Sequence, residues 1–221
     1  MKRLVILSTL FIVLCSMNSF KTKRILFFGD SITELGVQPG GFISKIQEAL
    51  LTQGLSKKYE LIGSGISGNK VYDLYLRLEN DVLAKQPDVV IIWVGVNDVW
   101  HKQMFGTGTD PGKFQVFYQV LIDKIKDKGA EVVLCTPAVI GEKTDFSNPQ
   151  DGDLNQYAKL IRELAHKNNC EICDFRSLFL EYNKVNNTSN AEWGILTKDR
   201  VHLNNTGNEL VAKELMKVLQ L

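Results

Sequence analysis

From residue 25 onward, short uninterrupted apolar runs alternate with stretches in which apolar residues recur every three or four positions. The first pattern suits strands buried on both faces, the second helices that bury one face. Residues 25–28 predict a strand, and 41–51, apolar at 42, 43, 46, 49 and 50, predict a helix. A second strand over 59–62 and a helix over 71–85 follow. Pro87 then punctuates the chain before 89–94, a fully apolar run that suits a central strand. Residues 113–128 read as a helix, 131–135 as a strand, 154–167 as a helix and 171–173 as a short last strand. An amphipathic helix over about 206–219 closes the chain, capped by Asn204 or Asn205. Strands and helices in alternation predict a parallel sheet with crossover helices. With no repeat, low-complexity tract or linker, residues 21–221 read as one doubly wound α/β domain.

The first twenty residues have a different character. Lys2 and Arg3 precede residues 4–14, an apolar run of eleven positions interrupted only by Ser8 and Thr9. That is too short to span a bilayer, which takes about 20 residues, but it matches the core of a signal peptide. The reading is an export signal over residues 1–20, cleaved somewhere in 15–20, and a periplasmic or secreted protein; the alternative is a buried first strand or helix. Cys15 offers a site for a lipid anchor, although Leu14 stands where bacterial lipoprotein signals usually carry a small residue.

The 221 residues, 44% of them hydrophobic, suffice for one well-buried core. Net charge is +1, and losing Lys2 and Arg3 would leave 24 basic against 25 acidic residues. Without a basic block, nucleic acid is not an expected partner. Beyond Cys15 stand Cys135, Cys170 and Cys173, an odd number that excludes a complete disulfide framework. Cys170 and Cys173 have CxxC spacing, but no second pair or nearby His completes a zinc site, and the segment reads as a strand. Core cysteines and no metal are the expectation.

Four short blocks carry the chemistry: Gly29-Asp30-Ser31-Ile32-Thr33, Ser67-Gly68-Asn69, Gly95-Val96-Asn97-Asp98 and Asp199-Arg200-Val201-His202. They supply a nucleophile (Ser31), a base (His202), a carboxylate to orient it (Asp199) and donors for an oxyanion (Gly68 and Asn97). Ser31, Gly68 and Asn97 each follow a predicted strand, where ligands bind in open parallel sheets. Of the three histidines, His166 falls in the last turn of a helix and His101 in the loop after Asn97; only His202 has a carboxylate three residues upstream. Singly, each block reads as an ordinary turn or cap.

In residues and in order the blocks resemble the SGNH (GDSL-type) hydrolases, a family of esterases, lipases and thioesterases. The resemblance implies a three-layer α/β/α fold with a flavodoxin-like sheet of about five strands in the order 2-1-3-4-5. It implies a triad of Ser31, Asp199 and His202, and an oxyanion hole made by the Ser31 and Gly68 N–H groups and the Asn97 side-chain amide. Asp30 and Asp98 become structural, and no cofactor is implied. Leu203 replaces the proline common after the histidine.

The expected activity is hydrolysis of a carboxylic ester through an acyl-enzyme, with a lysophospholipase or thioesterase as the alternative within the family. The loops at 99–112 and 139–152 are expected to wall the pocket; they mix Trp100, Met104, Phe105, Val139, Ile140 and Phe146 with glycines and polar residues. No long apolar lid is evident, so a short acyl group on a polar or carbohydrate-like alcohol is expected. An alternative of another class rests on Gly63, Gly65 and Gly68, which fit the dinucleotide fingerprint GxGxxG after a strand. That fingerprint normally follows the first strand and requires an acid ending the next, whereas the next strand here ends in Trp93-Val94.

Overall fold

The five apolar runs pair side by side as one parallel sheet in the order β2-β1-β3-β4-β5, the order implied by the resemblance. The structure is a computed structural model and describes residues 21–221, so the signal-like run and Cys15 lie outside the described residues. The strands are β1 (Lys23–Gly29), β2 (Tyr59–Gly65), β3 (Val89–Trp93), β4 (Glu131–Cys135) and β5 (Glu171–Cys173). All five residues of β3 are buried, as its unbroken apolar run requires of a central strand.

Helices cover both faces: α1 (Ser31–Gly36), α2 (Phe42–Thr52), α3 (Val71–Asp81), α4 (Val96–Phe105), α5 (Pro111–Asp127), α6 (Asp151–Asn168), α7 (Phe175–Asn186) and α8 (Asn205–Leu219). The chain leaves β1 in one direction to reach β2 and then crosses back to build β3, β4 and β5 in the other. Right-handed crossovers therefore put α2 on the face opposite α3, α5 and α6. The contacts agree, since α2 packs on α8, while α5 packs between α3 and α6. Asn204 is the cap of α8, its Oδ1 accepting from the Gly207 N–H at 3.0 Å.

Three helices, α1, α4 and α7, go beyond the predicted set, and the helix expected over 71–85 stops at Asp81. There a 3₁₀ turn over Leu83–Lys85 and a left-handed Gln86 lead into β3. The three described cysteines are free: Cys135 and Cys173 are buried register partners on β4 and β5, and Cys170 is half-buried. Among the described residues no cluster of metal-ligating side chains occurs, and no helix is long and apolar enough to cross a membrane.

Candidate active site

β1 ends at Gly29 because the chain must turn there without a side chain: a Cβ would lie 2.3 Å from Thr33 Oγ1 and 2.4 Å from the Trp93 carbonyl. Asp30 then caps α1, its Oδ1 accepting from the Ile32 N–H at 3.0 Å. Ser31 is thus the first residue of a short helix at the carboxyl end of a central strand, 8% exposed. Its Oγ lies 2.8 Å from His202 Nε2 across 171 residues of sequence. The other ring nitrogen, Nδ1, is 2.7 Å from Asp199 Oδ2. The second carboxylate oxygen of Asp199 accepts from the N–H groups of His202 at 2.7 Å and Val201 at 3.2 Å. Burial pushes the Asp199 carboxyl up, but these amides and the ring outweigh it and hold the group below its ordinary range. An ionised Asp199 fixes the tautomer that donates from Nδ1, leaving the Nε2 lone pair for the Ser31 hydroxyl.

The expected oxyanion donors, Gly68 and Asn97, are joined to the Ser31 turn by a separate set of bonds. The Ile66 N–H donates to the Gly29 carbonyl at 3.2 Å, and Glu34 on α1 accepts from the Ser67 N–H at 2.7 Å. Gly68 follows with φ +78°, a conformation that a glycine adopts at no steric cost. The Asn97 side-chain amide donates to the Asn69 carbonyl at 3.1 Å, so the second and third sequence blocks meet directly. Asp98 has a different partner, its Oδ1 accepting from the Val71 N–H at 3.2 Å and anchoring the start of α3. Desolvation by burial raises both Asp30 and Asp98 to about 7, and for Asp30 the neighbouring Asp98 adds to the rise.

Arg77, on α3, was not evident in the sequence as part of this machinery. Its guanidinium donates to the Gly29 carbonyl at 2.8 Å, the Ser64 carbonyl at 3.1 Å and Asn69 Oδ1 at 2.7 Å. It also pairs with Asp81 at 2.8 Å and lies over the Phe28 ring, 4.5 Å from its centroid. One side chain thereby ties the ends of β1 and β2 to the loop carrying Gly68 and Asn69. In the sequence Arg77 reads as an exposed charge on an amphipathic helix, because backbone carbonyl partners leave no spacing signal.

The glycines of the dinucleotide-like pattern have packing reasons. A Cβ on Gly65 would lie 2.1 Å from the Glu34 nitrogen, and one on Gly63 would lie 2.3 Å from Val37 Cγ1. They let β2 pass closely against α1 and its exit. The hydroxyl of Ser67 donates to Glu34 and so is not paired with a histidine.

His101 lies in helix α4 rather than in a loop, with its Cε1 3.7 Å from where a Cβ on Gly68 would sit. Desolvation, followed by the nearby Lys70 charge, holds its ring below the ordinary histidine range. The expected wall at 99–112 is therefore helical through Phe105. In the second expected wall, Val139 and Ile140 belong to the core, while Phe146 is exposed with φ +65°. His166 occupies the last turn of α6, as its spacing predicts.

Residues 27–210 match the GDSL-like Lipase/Acylhydrolase family. An acetylxylan esterase from Geobacillus stearothermophilus is 28% identical over 211 residues, which cover 88% of this chain and 93% of that protein. The crystal structure of an acetyl xylan esterase superposes with a TM-score of 0.88 at 57% identity, covering 89% of this chain and 99% of that one. A catalytic mutant of the Geobacillus enzyme, with an aspartate replaced by alanine, superposes at a TM-score of 0.79 and 26% identity, covering 90% of this chain and 94% of that one. Catalytic mutants of the same enzyme carry alanine in place of a serine and of a histidine.

Proposed function

The chain belongs to the GDSL-like lipase/acylhydrolase family and is a carboxylic ester hydrolase; from that premise we propose that it is a serine esterase that removes acetyl groups from a carbohydrate alcohol. Ser31 is the nucleophile, His202 the general base and Asp199 the group that orients it. The observation that carries this reading is the unbroken path from Ser31 Oγ through the His202 ring to Asp199, at 2.8 and 2.7 Å.

In the first half-reaction Ser31 Oγ attacks the ester carbonyl carbon while His202 Nε2 takes the hydroxyl proton. Negative charge develops on the former carbonyl oxygen. The Ser31 and Gly68 N–H groups and the free N–H of the Asn97 amide serve as its donors. The tetrahedral species collapses as the carbon–oxygen bond to the alcohol breaks, and His202 returns its proton to the leaving oxygen. In the second half-reaction water gives a proton to His202, attacks the acyl-serine carbonyl, and carboxylic acid leaves as Ser31 regains its hydrogen. Atoms and charge balance without any further reactant.

Two observations support an acetylated carbohydrate. The relatives are acetylxylan esterases by name. A cleft of about 300 Å³ runs beside the His202 segment, its lining including Leu35, Gln38, Lys198, Leu203 and Asn205. Amide and ammonium groups beside an apolar edge suit the hydroxyls and C–H face of a sugar. Export belongs to the same proposal, supported by Lys2, Arg3 and the apolar run behind them.

The test is acetate release from acetylated xylo-oligosaccharides by the purified protein, with Ser31→Ala as control. Ser31-dependent release supports the reading. Turnover of p-nitrophenyl acetate without any acetate release from the sugar would overturn the carbohydrate assignment, and turnover unaffected by Ser31→Ala would overturn the mechanism.

A further inference from the structure

The loop that carries Asp199 and His202 contains a strained residue. Arg200, between them, has φ +83°, a conformation that a residue with a long side chain adopts only when its surroundings impose it. The imposing contacts come from two consecutive residues beyond β4. The Gly141 N–H donates to the Arg200 carbonyl at 2.8 Å, and the Glu142 N–H donates to the Glu192 carbonyl at 2.9 Å. Glu142 is 1% exposed. Its Oε1 accepts from the N–H groups of Leu196 at 2.7 Å and Thr197 at 2.8 Å, and its Oε2 from that of Ile195 at 2.9 Å. Three consecutive backbone donors therefore converge on one buried carboxylate, two residues ahead of Asp199.

The opposite side of the same segment is closed as well. α8 presses on it so tightly that a Cβ on Gly207 would lie 2.1 Å from the Leu196 carbonyl oxygen. Thr197 pairs with Leu203 in an antiparallel bridge, and the Lys198 N–H donates to the His202 carbonyl at 2.8 Å. The turn bearing the acid and the base thus rests on a base strand held by Glu142. Gly141 is fixed in turn at φ +93°, where a Cβ would meet Asn148 Oδ1 at 2.6 Å.

We propose that Glu142 is a positioning residue for the proposed esterase reaction: its carboxylate sets the height of the 195–197 segment, and through it the placement of Asp199 and His202 against Ser31. The assignment rests on the functional reading above. Misplacing a reacting group by about 1 Å can cost on the order of 10²-fold in rate. Because Glu142 supports the base and does not bind substrate, its loss acts on kcat and leaves KM unchanged.

The experiment compares Glu142→Ala and Glu142→Gln with wild type in four measurements: kcat and KM on p-nitrophenyl acetate, the rate of Ser31 labelling by an organophosphonate, amide hydrogen exchange across 192–204, and the melting temperature. Gln keeps an oxygen for the Leu196 and Thr197 donors but turns an NH₂ toward Ile195. The expected kcat order is wild type, then Gln, then Ala, with Ala lower by about 10²-fold, KM unchanged and labelling slowed in step. Exchange is expected to accelerate at Ile195, Leu196 and Thr197 first. If the alanine variant does not fold, the glutamine variant decides alone. Unchanged exchange at 195–197, a loss confined to KM, or a lower melting temperature with kcat retained would each overturn the positioning role. A wild type whose turnover does not depend on Ser31 would sink the esterase reading itself, and hydrogen exchange would still report whether Glu142 holds the segment.

Discussion

The side-chain amide of Asn97 donates one hydrogen to the Asn69 carbonyl at 3.1 Å. An amide nitrogen carries two hydrogens, so this bond occupies one and fixes the plane that directs the other. A donor fixed before substrate arrives has no reorientation to undergo as the oxyanion forms. Asn97→Ala should therefore lower kcat by about 10²- to 10³-fold and leave KM nearly unchanged. Steady-state kinetics on p-nitrophenyl acetate check this; a loss confined to KM would make Asn97 a binding group only.

Ser31→Ala and His202→Ala should each remove about 10⁴-fold or more of the rate, and the double variant should lose little beyond either, because the members of a triad act as a unit. An organophosphonate should label one serine, Ser31. His101→Ala should keep most activity, since its ring stands beside Gly68 without a carboxylate partner on the pattern of Asp199 and His202. Labelling of Ser67, or inactivation by His101→Ala equal to that by His202→Ala, would show the assignments to be wrong.

Arg77→Met tests whether the oxyanion loop is held from behind. The change removes one donor each from the Gly29 and Ser64 carbonyls and from Asn69, while the Gly29 carbonyl keeps the Ile66 N–H. A hydrogen bond from a charged group contributes about 1.5–3 kcal/mol, so losing three of them should cost about 3 kcal/mol or more in stability. Because Asn69 in turn carries Asn97, kcat should also fall on the remaining folded protein. Urea unfolding with kinetics below the transition measures both. A destabilised variant with wild-type kcat would mean that Arg77 serves the fold alone.

Most of this architecture is legible in the chain because strand runs and helix stripes are long and local. The order β2-β1-β3-β4-β5 is the one that the family resemblance implies, and the proposed triad rests on blocks whose residues are themselves the candidate reactive groups. What escaped is either short or non-local. α1 has six residues and α4 overlaps a motif that reads as a turn. α7 carries apolar residues at 175, 178, 179 and 182, a helical period masked by a three-residue strand directly ahead of it. Arg77 and Glu142 bind backbone atoms far along the chain, and a backbone partner has no identity for a sequence pattern to register.

Asp30 and Asp98 give the protein an identifiable pH signature. Burial raises both carboxyls to about 7 from an ordinary 3.8. The folded state therefore holds protons that the unfolded chain has released between those values. Stability from this source is complete below about pH 4 and is lost as pH rises through about 7. Asp199 and Asp174, held below 3.8, act in the opposite sense and only at more acidic pH. The melting temperature should fall between about pH 4 and pH 7, and Asp98→Asn, neutral throughout, should flatten that slope. Scanning calorimetry across this range decides; an identical slope in the variant would mean that Asp98 is ionised in the folded protein.

Acyl length separates the proposed acetyl esterase from a lipase or lysophospholipase. A trough for a fatty chain would return about 0.8 kcal/mol for each buried CH₂, or roughly fourfold in kcat/KM per added methylene. The space beside the Gly68 N–H is narrowed by a neighbouring ring. The His101 ring lies 3.7 Å from the Cβ position of Gly68, close enough to limit the space beside that N–H. Val139 and Ile140 are in the core, Met104 and Phe105 are exposed on α4, and the cavity of about 420 Å³ that Val139 shares with Phe146 and Leu180 has none of Ser31, Gly68, Asn97 or His202 in its lining. Activity on p-nitrophenyl esters should therefore peak between acetate and butyrate and drop steeply toward decanoate. His101→Ala, by widening the space next to Gly68, should move the peak toward longer acyl groups while retaining Ser31-dependent turnover. A wild-type kcat/KM that climbs through decanoate would instead place the substrate among lipids, and the sugar-acetate reading would fall while the triad assignment stood.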